Sequence, residues 1–110
     1  MEHSSQLLKG VLDMCLLALI SEEPSYGYEM VDKLQRRGLE LVSEGSIYPL
    51  LSRLQKKGLI DGYFVESTGG PPRKYYRIEE AGREQLRHWI VEWDKLNTGV
   101  QEVLNGGGSE

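Results

Sequence analysis

Residues 43–58, with the sequence SEGSIYPLLSRLQKKG, predict a helix that has two different faces. Ser43 or Ser46 can cap its N-terminus, because a side-chain oxygen there accepts a hydrogen bond from an N–H of the first turn. Pro49 falls within that first turn, where its missing N–H costs little if the helix starts near Ser46. Gly58 predicts the end of the helix, since glycine tolerates the left-handed conformation of a C-terminal cap.

The two faces of this helix differ in chemistry. Apolar residues recur at i, i+3, i+4 and i+7, which predicts a face packed on the core: Ile47, Leu50, Leu51 and Leu54. The other face is cationic and bears hydroxyl groups: Ser46, Tyr48, Ser52, Arg53, Lys56 and Lys57. Such a helix can enter a DNA major groove, with small polar groups at base edges and Arg or Lys at phosphates. The alternative is an ordinary solvated amphipathic helix, and the sequence that follows favours the DNA interpretation.

Composition predicts one folded domain that carries its positive charge in one segment. The chain has 110 residues, 39% of them hydrophobic and 27% charged, which suits a single core. The net charge is −4, yet residues 43–77 carry six basic and three acidic side chains. Because the distribution of charge matters more than its sum, this segment remains compatible with nucleic-acid binding.

The N-terminal third excludes several classes of protein. The apolar stretch 11–20 is too short to cross a membrane and is interrupted by Asp13. No basic segment followed by an apolar one marks a signal peptide. The single Cys15 cannot form an intramolecular disulfide, and its apolar helical setting predicts a structural thiol in a reducing cytoplasm.

Two helices are predicted before residue 43. A dense i, i+3, i+4 apolar series predicts a first helix over about 5–21, with more apolar surface than one small domain can cover. Ser25 is the expected N-cap of a second helix over about 26–37, which Gly38 ends. This helix and the cationic one over about 45–57 are joined tightly, which is typical of a helix-turn-helix.

After Gly58 the hydrophobic period changes from 3.6 to 2. Two strand-like runs enclose the turn-rich loop STGGPP at 67–72, which predicts a β-hairpin over about 59–78. Arg73 and Lys74 on the returning strand would lie along the phosphate backbone or reach toward a minor groove, although they could simply keep the strand soluble. The predicted fold is α+β, a winged helix-turn-helix domain over residues 1–78.

A long helix is predicted over residues 79–104. Its apolar residues are spaced three and four apart without a break: Leu86, Trp89, Trp93, Leu96, Val100 and Val103. These six residues form an apolar stripe, the heptad seam, which is longer than one winged domain needs. We therefore expect the heptad seam to pack on a second copy of the chain, together with the first helix. Gly99 weakens the helix, and the Gly-rich residues 105–110 are expected to be disordered.

No motif in the sequence assembles an active site. His3 and His88 stand apart from other catalytic groups, and no Cys/His cluster has the spacing of metal ligands. Gly69-Gly70 precedes two prolines rather than a helix, so it does not cradle a phosphate. An enzyme, a metal site and a bound cofactor are therefore not expected.

Three motifs together resemble the PadR family of bacterial transcription regulators. They are YGYE at 26–29, SEGSIYPLLSRL at 43–54 with KGLI at 57–60, and GPPRKYYRI at 70–78 with AG at 81–82. The resemblance runs from about residue 8 to 96 and implies a homodimeric winged-helix repressor of the short branch, acting on a pseudo-palindromic DNA operator. Expected DNA-binding residues are Tyr26, Ser43, Ser46, Tyr48, Pro49, Arg53, Lys56, Lys57, Arg73, Lys74 and Tyr75. Expected dimer-interface residues are Leu7, Val11, Leu16, Leu86, Trp89, Ile90, Trp93, Leu96 and Val100.

The resemblance also implies a ligand site. Some short-branch members bind flat aromatic compounds at the dimer centre, stacked on aromatic side chains of the C-terminal helix, and Trp93 stands at that position. Ordinary interface packing of both indoles is the alternative. The residues expected around an effector are Leu8, Leu12, Cys15, Trp89 and Trp93. Two other functions stay open: a protein whose primary event is ligand sensing, and a protein-interaction adaptor on the same fold.

Overall fold

The computed structural model describes residues 7–8 and 10–106. Within those ranges the elements are α1 (Leu12–Glu22), β1 (Ser25–Tyr26), α2 (Gly27–Arg36), α3 (Glu44–Lys56), β2 (Ile60–Ser67), β3 (Gly70–Ile78) and α4 (Glu80–Leu104). The strands form an antiparallel sheet in the order β1–β3–β2. This architecture confirms the predicted α+β winged helix-turn-helix with a long C-terminal helix. None of the described helices is long and apolar enough to cross a membrane.

The core is built around α1. Five of its apolar side chains are at most 2% exposed: Leu12, Leu16, Leu17, Leu19 and Ile20. They belong to one cluster with the inward faces of α2 and α3: Met30, Val31, Leu34, Ile47, Leu51 and Leu54. Burying each such side chain stabilises the fold by about 1.5–3 kcal/mol. This packing turns the polar face of α3 away from the core.

The first predicted helix is interrupted: Leu7 and Leu8 are helical, and a turn separates them from the next helical segment. α1 starts at Leu12, whereas Gly10 and Val11 form a turn in which their N–H groups donate to the Leu7 and Leu8 carbonyls at 3.2 and 3.0 Å. Glycine lowers helix stability by about 1 kcal/mol relative to alanine, which favours a break at this point. The continuous helix expected over about 5–21 is therefore wrong at residues 10–11. Its expected start near residue 5 lies outside the described residues, as do residues 107–110 of the expected disordered tail.

A short strand precedes α2 where the sequence indicated only a helix cap. Ser25 and Tyr26 pair with β3, and α2 begins at Gly27. The Glu29 carboxylate accepts a hydrogen bond from the Tyr26 backbone N–H at 3.1 Å. The side chain of the third helical residue therefore stabilises the first turn of α2. Ser25 is fully buried in the sheet. The prediction that Ser25 caps this helix is wrong, because that residue belongs to β1.

α4 starts at the base of the hairpin and extends beyond the core. Leu86 and Trp89 pack against the core, whereas the following apolar residues are 40–78% exposed: Ile90, Val91, Trp93, Leu96, Val100 and Val103. Leu7, also expected at a dimer interface, is exposed, and Val11 is half-buried. Leu16 needs a correction, since it is 0% exposed within its own chain and has no surface left for a partner.

Candidate nucleic-acid interface

Two serines build the N-terminus of α3. The Ser46 hydroxyl donates to the Ser43 carbonyl at 2.8 Å and accepts from the Ser43 N–H at 3.0 Å. The Ser46 side chain is thus engaged in capping, and contact with a base would replace one of these hydrogen bonds. Because α3 begins at Glu44, Pro49 lies in its second turn, not in the first as predicted. Pro49 has no N–H to donate to the Gly45 carbonyl four residues earlier.

Tyr48 joins α3 to the start of α2. Its ring lies so close to Gly27 that a Cβ added there would be 2.7 Å from a ring carbon. The side chain is nevertheless 45% exposed. Burial raises the pKa of the Tyr48 hydroxyl and the Glu44 carboxylate raises it further, so the group is protonated at neutral pH and able to donate a hydrogen bond. Tyr48 therefore packs the helix-turn-helix and also lies on its outer face.

The contact between Gly27 and Tyr48 gives a testable prediction. We expect Gly27→Ala to lower the free energy of unfolding by about 1–3 kcal/mol, because the added methyl group must push the Tyr48 ring aside. Urea unfolding measures this loss. Gly45→Ala is the matched control, since its Cβ would meet only the Ser43 side chain, at 3.9 Å. Wild-type stability of Gly27→Ala would contradict the prediction.

The cations of α3 differ in their partners. Arg53 lies 3.5 Å from the Asp13 carboxylate of α1. Lys56 and Lys57 are exposed and form no salt bridge with any residue that the structure describes. The C-terminal end of α3 and the residue that follows it consequently present two cations whose charge is not neutralised by a described neighbour, whereas Arg53 pairs with Asp13 of α1.

Arg73 and Lys74, which the sequence analysis treated as a pair, lie on opposite faces of the hairpin. Arg73 lies over the Tyr26 ring, with 4.7 Å from its guanidinium carbon to the ring centroid, and its Nη1 donates to the Tyr26 hydroxyl at 3.3 Å. Lys74 lies on the other face, where its side chain covers Gly62 and its Nζ is 5.4 Å from the Tyr76 ring centroid. Successive side chains of a strand point to opposite faces, so a DNA surface that contacts Arg73 does not contact Lys74 to the same extent.

Three tyrosines connect β1 with the hairpin on the Arg73 face. Tyr26 meets Tyr75 edge to face at 5.2 Å, and Tyr75 stacks on Tyr63 at 6.0 Å. At the far end Arg77 lies 4.4 Å from the Tyr63 ring centroid, and its Nη2 pairs with Asp61 at 3.0 Å. The half-buried Tyr75, expected to bind DNA, therefore lies between two other rings and acts first as packing.

A separate cavity of about 220 Å³ lies between α1 and α4. Its lining residues are Gly10, Val11, Asp13, Met14, Trp89, Glu92, Trp93 and Leu96. Both predicted tryptophans are present, and Met14 was missed although it follows Val11 at helical spacing. Among the described residues, no group of three or more His, Cys, Asp or Glu could hold a metal ion.

The other three residues expected around an effector lie elsewhere. Leu8 and Leu12 line a second cavity of about 440 Å³ beside Pro49 and Arg53 of α3. Cys15 packs against the core, and burial raises the pKa of its thiol. Within one chain the five residues expected around an effector therefore do not line a single cavity. The expected site at the dimer centre stays a prediction.

Comparison with known proteins places this arrangement among regulators. Residues 16–88 match the family described as the transcriptional regulator PadR-like family. The crystal structure of a PadR-like transcriptional regulator from Bacillus cereus strain ATCC 14579 is 48% identical, with a TM-score of 0.81 over 96% of this chain and 99% of that chain. A PadR family regulator from Eggerthella lenta DSM 2243 is 34% identical, with a TM-score of 0.85 over 94% of this chain and 89% of that one. Bacillus subtilis PadR in complex with operator DNA shares the fold at 23% identity, with a TM-score of 0.67 over 74% of this chain and 47% of that chain.

Proposed function

This chain belongs to the PadR-like family of transcriptional regulators, which are not enzymes. From that premise we propose that it is a homodimeric repressor, which a small planar ligand releases from double-stranded operator DNA. The observation that carries the proposal lies at the start of α2. Tyr26 contacts Arg73 of the hairpin, and Gly27 contacts Tyr48 of α3. One dipeptide thereby joins the two elements that the sequence assigns to DNA.

In the proposed complex, α3 enters the major groove and the hairpin follows the backbone. Lys56, Lys57 and Arg73 form no salt bridge with a described residue, so their charges are suited to phosphates. Tyr48, with its exposed hydroxyl, would approach base edges. The DNA-bound structure of Bacillus subtilis PadR supports this choice of partner, although it shares only the fold with this chain.

The exposed apolar part of α4 supports the proposal of a homodimer. A dimer would cover this seam and set the two α3 helices about one DNA turn apart, roughly 34 Å, on a pseudo-palindromic site. We also propose that residues 1–78 form the DNA-binding domain and 79–104 the dimerisation helix.

Fluorescence anisotropy on DNA from the region upstream of the chain's own gene tests the proposal. We expect saturable binding of two chains per site that weakens as the salt concentration rises. Native mass spectrometry of the purified protein must first show that no ligand is already bound. Absence of binding by the ligand-free protein at low salt would contradict the repressor and favour the adaptor.

Two arginines separate a phosphate contact from general loss of charge. Arg73→Ala should weaken binding about tenfold and reduce the slope of log affinity against log salt by about 1, because one phosphate contact is lost. Arg77→Ala is the matched control, since Asp61 already pairs with Arg77 at 3.0 Å. If Arg73→Ala and Arg77→Ala changed the slope of log affinity against log salt equally, the assignment of Arg73 to a phosphate would be contradicted.

The cavity between α1 and α4 supports a ligand-sensing role. Trp89 and Trp93 offer aromatic faces, and Asp13 and Glu92 add carboxylates to the same lining. A planar aromatic molecule that is neutral or cationic suits these groups better than an anion does, because aromatic faces and carboxylates both attract positive charge. Ligand release of DNA further requires that the ligand prefer one spacing of the two α3 helices.

Tryptophan quenching by a panel of planar dyes measures this binding. For a dye that quenches the fluorescence of the wild type, we expect Trp93→Ala to lower the binding affinity about tenfold, because a stacking face is lost. Val91→Ala removes an exposed apolar side chain of the same helix, outside both the cavity and the heptad seam, and serves as the control. Lack of quenching across the panel would contradict the ligand-sensing role.

A further inference from the structure

We propose that Tyr26 is a positioning residue, which holds the Arg73 guanidinium in the orientation that meets the DNA backbone. The inference rests on the proposed function, in which the hairpin contacts DNA, and adds a residue that acts through another. The family resemblance implied that Tyr26 binds DNA itself. The geometry points instead to an indirect role.

Two contacts hold the same guanidinium. The Tyr26 ring lies 4.7 Å from the guanidinium carbon, and the Tyr26 hydroxyl accepts a hydrogen bond from Nη1 at 3.3 Å. Together they restrict both the position and the rotation of a long, flexible side chain. A side chain that is ordered before binding loses less conformational entropy when it meets a phosphate, which improves affinity without a new contact.

Tyr26 can serve as a support because its own position is determined by neighbours. Its backbone pairs with Tyr75 in the sheet, and its ring meets the Tyr75 ring at 5.2 Å. Its N–H is held by the Glu29 carboxylate at 3.1 Å. Tyr26 lies immediately before α2, so the support ties the hairpin cation to the helix-turn-helix rather than to the hairpin alone.

Arg73 keeps its capacity to bind an anion in this arrangement. A guanidinium has five N–H donors, and the Tyr26 hydroxyl accepts from only one nitrogen. No carboxylate of the described residues forms a salt bridge with Arg73. Arg77 shows the contrasting case on the same face, because it lies over Tyr63 at 4.4 Å but also pairs with Asp61. The contact between Tyr63 and Arg77 therefore matches that between Tyr26 and Arg73, except that Asp61 already balances the charge of Arg77.

A double-mutant cycle tests the inference, with affinity for DNA from the chain's own upstream region measured by fluorescence anisotropy at several salt concentrations. We expect Tyr26→Leu to weaken binding about three- to tenfold in the wild-type background. Its salt slope should stay that of the wild type, because the charge of Arg73 remains. In the Arg73→Ala background, Tyr26→Leu should change affinity by less than about twofold, since nothing is left to position.

Two further variants keep the test decisive. Tyr26→Phe retains the ring and loses the hydroxyl, so it should fold as the wild type does and show a smaller loss that also vanishes in the Arg73→Ala background. Tyr63→Leu is the matched control and should leave affinity unchanged. Equal losses from Tyr26→Leu in both backgrounds, no loss at all, or an equal loss from Tyr63→Leu would overturn the positioning role while leaving the repressor intact. Failure of the wild type to bind would overturn both.

Discussion

Gly82→Ala is expected to lower the free energy of unfolding by about 3 kcal/mol, because the site has no room for a methyl group. A Cβ at Gly82 would overlap the Leu59 carbonyl and lie 2.8 Å from the Ile78 side chain. The Leu59 carbonyl cannot move freely, since it also accepts the Glu79 N–H at 2.9 Å. The substitution therefore forces α4 away from the base of the hairpin.

Urea unfolding at one protein concentration measures this loss, with the midpoint falling and the slope retained. Gly99→Ala is the matched control in the same helix, since no heavy atom lies within 4 Å of its added Cβ. There alanine should raise stability by about 0.5–1 kcal/mol through helix propensity alone. Wild-type stability of Gly82→Ala would show that α4 is not held at the Leu59 carbonyl.

Val100→Asp is expected to convert the proposed dimer into monomers and to weaken operator binding about a hundredfold or more. Val100 is 44% exposed on the apolar part of α4, where the proposed interface would bury an aspartate without a partner in each chain. A monomer also loses the second half-site, and with it the gain in affinity that comes from simultaneous engagement of two sites. Sedimentation velocity measures the association state, and anisotropy measures DNA binding.

Thr98→Asp controls for the added negative charge, because Thr98 is exposed on the same helix outside the heptad seam. It should remain dimeric and bind DNA as the wild type does. A dimeric Val100→Asp variant would contradict the interface assigned to α4, whatever its affinity for DNA. Monomers from both variants would implicate charge on α4 in general rather than the seam.

Much of the fold follows from local signals. The period of 3.6 in 43–58, the change to period 2 after Gly58, and the loop STGGPP predicted the helix, the hairpin and their order, because amphipathic periodicity reports which face of each element is buried. The site was predictable only in part. Both tryptophans line the cavity between α1 and α4, whereas Leu8 and Leu12 line another cavity beside α3 and Cys15 packs against the core. Which cavity each of these residues lines depends on how the helices pack, which local periodicity does not report.

The sequence by itself determined the helix-turn-helix, the hairpin, the long last helix and the concentration of cations between residues 43 and 77, because these depend on residues that are near one another in the chain. Tertiary structure alone decided the pairing of β1 with β3, the close approach of Gly27 to Tyr48, and the support of Arg73 by Tyr26. Arg73 and Tyr26 are 47 residues apart. Contacts of that kind depend on how packed elements approach each other in space, which local periodicity does not report.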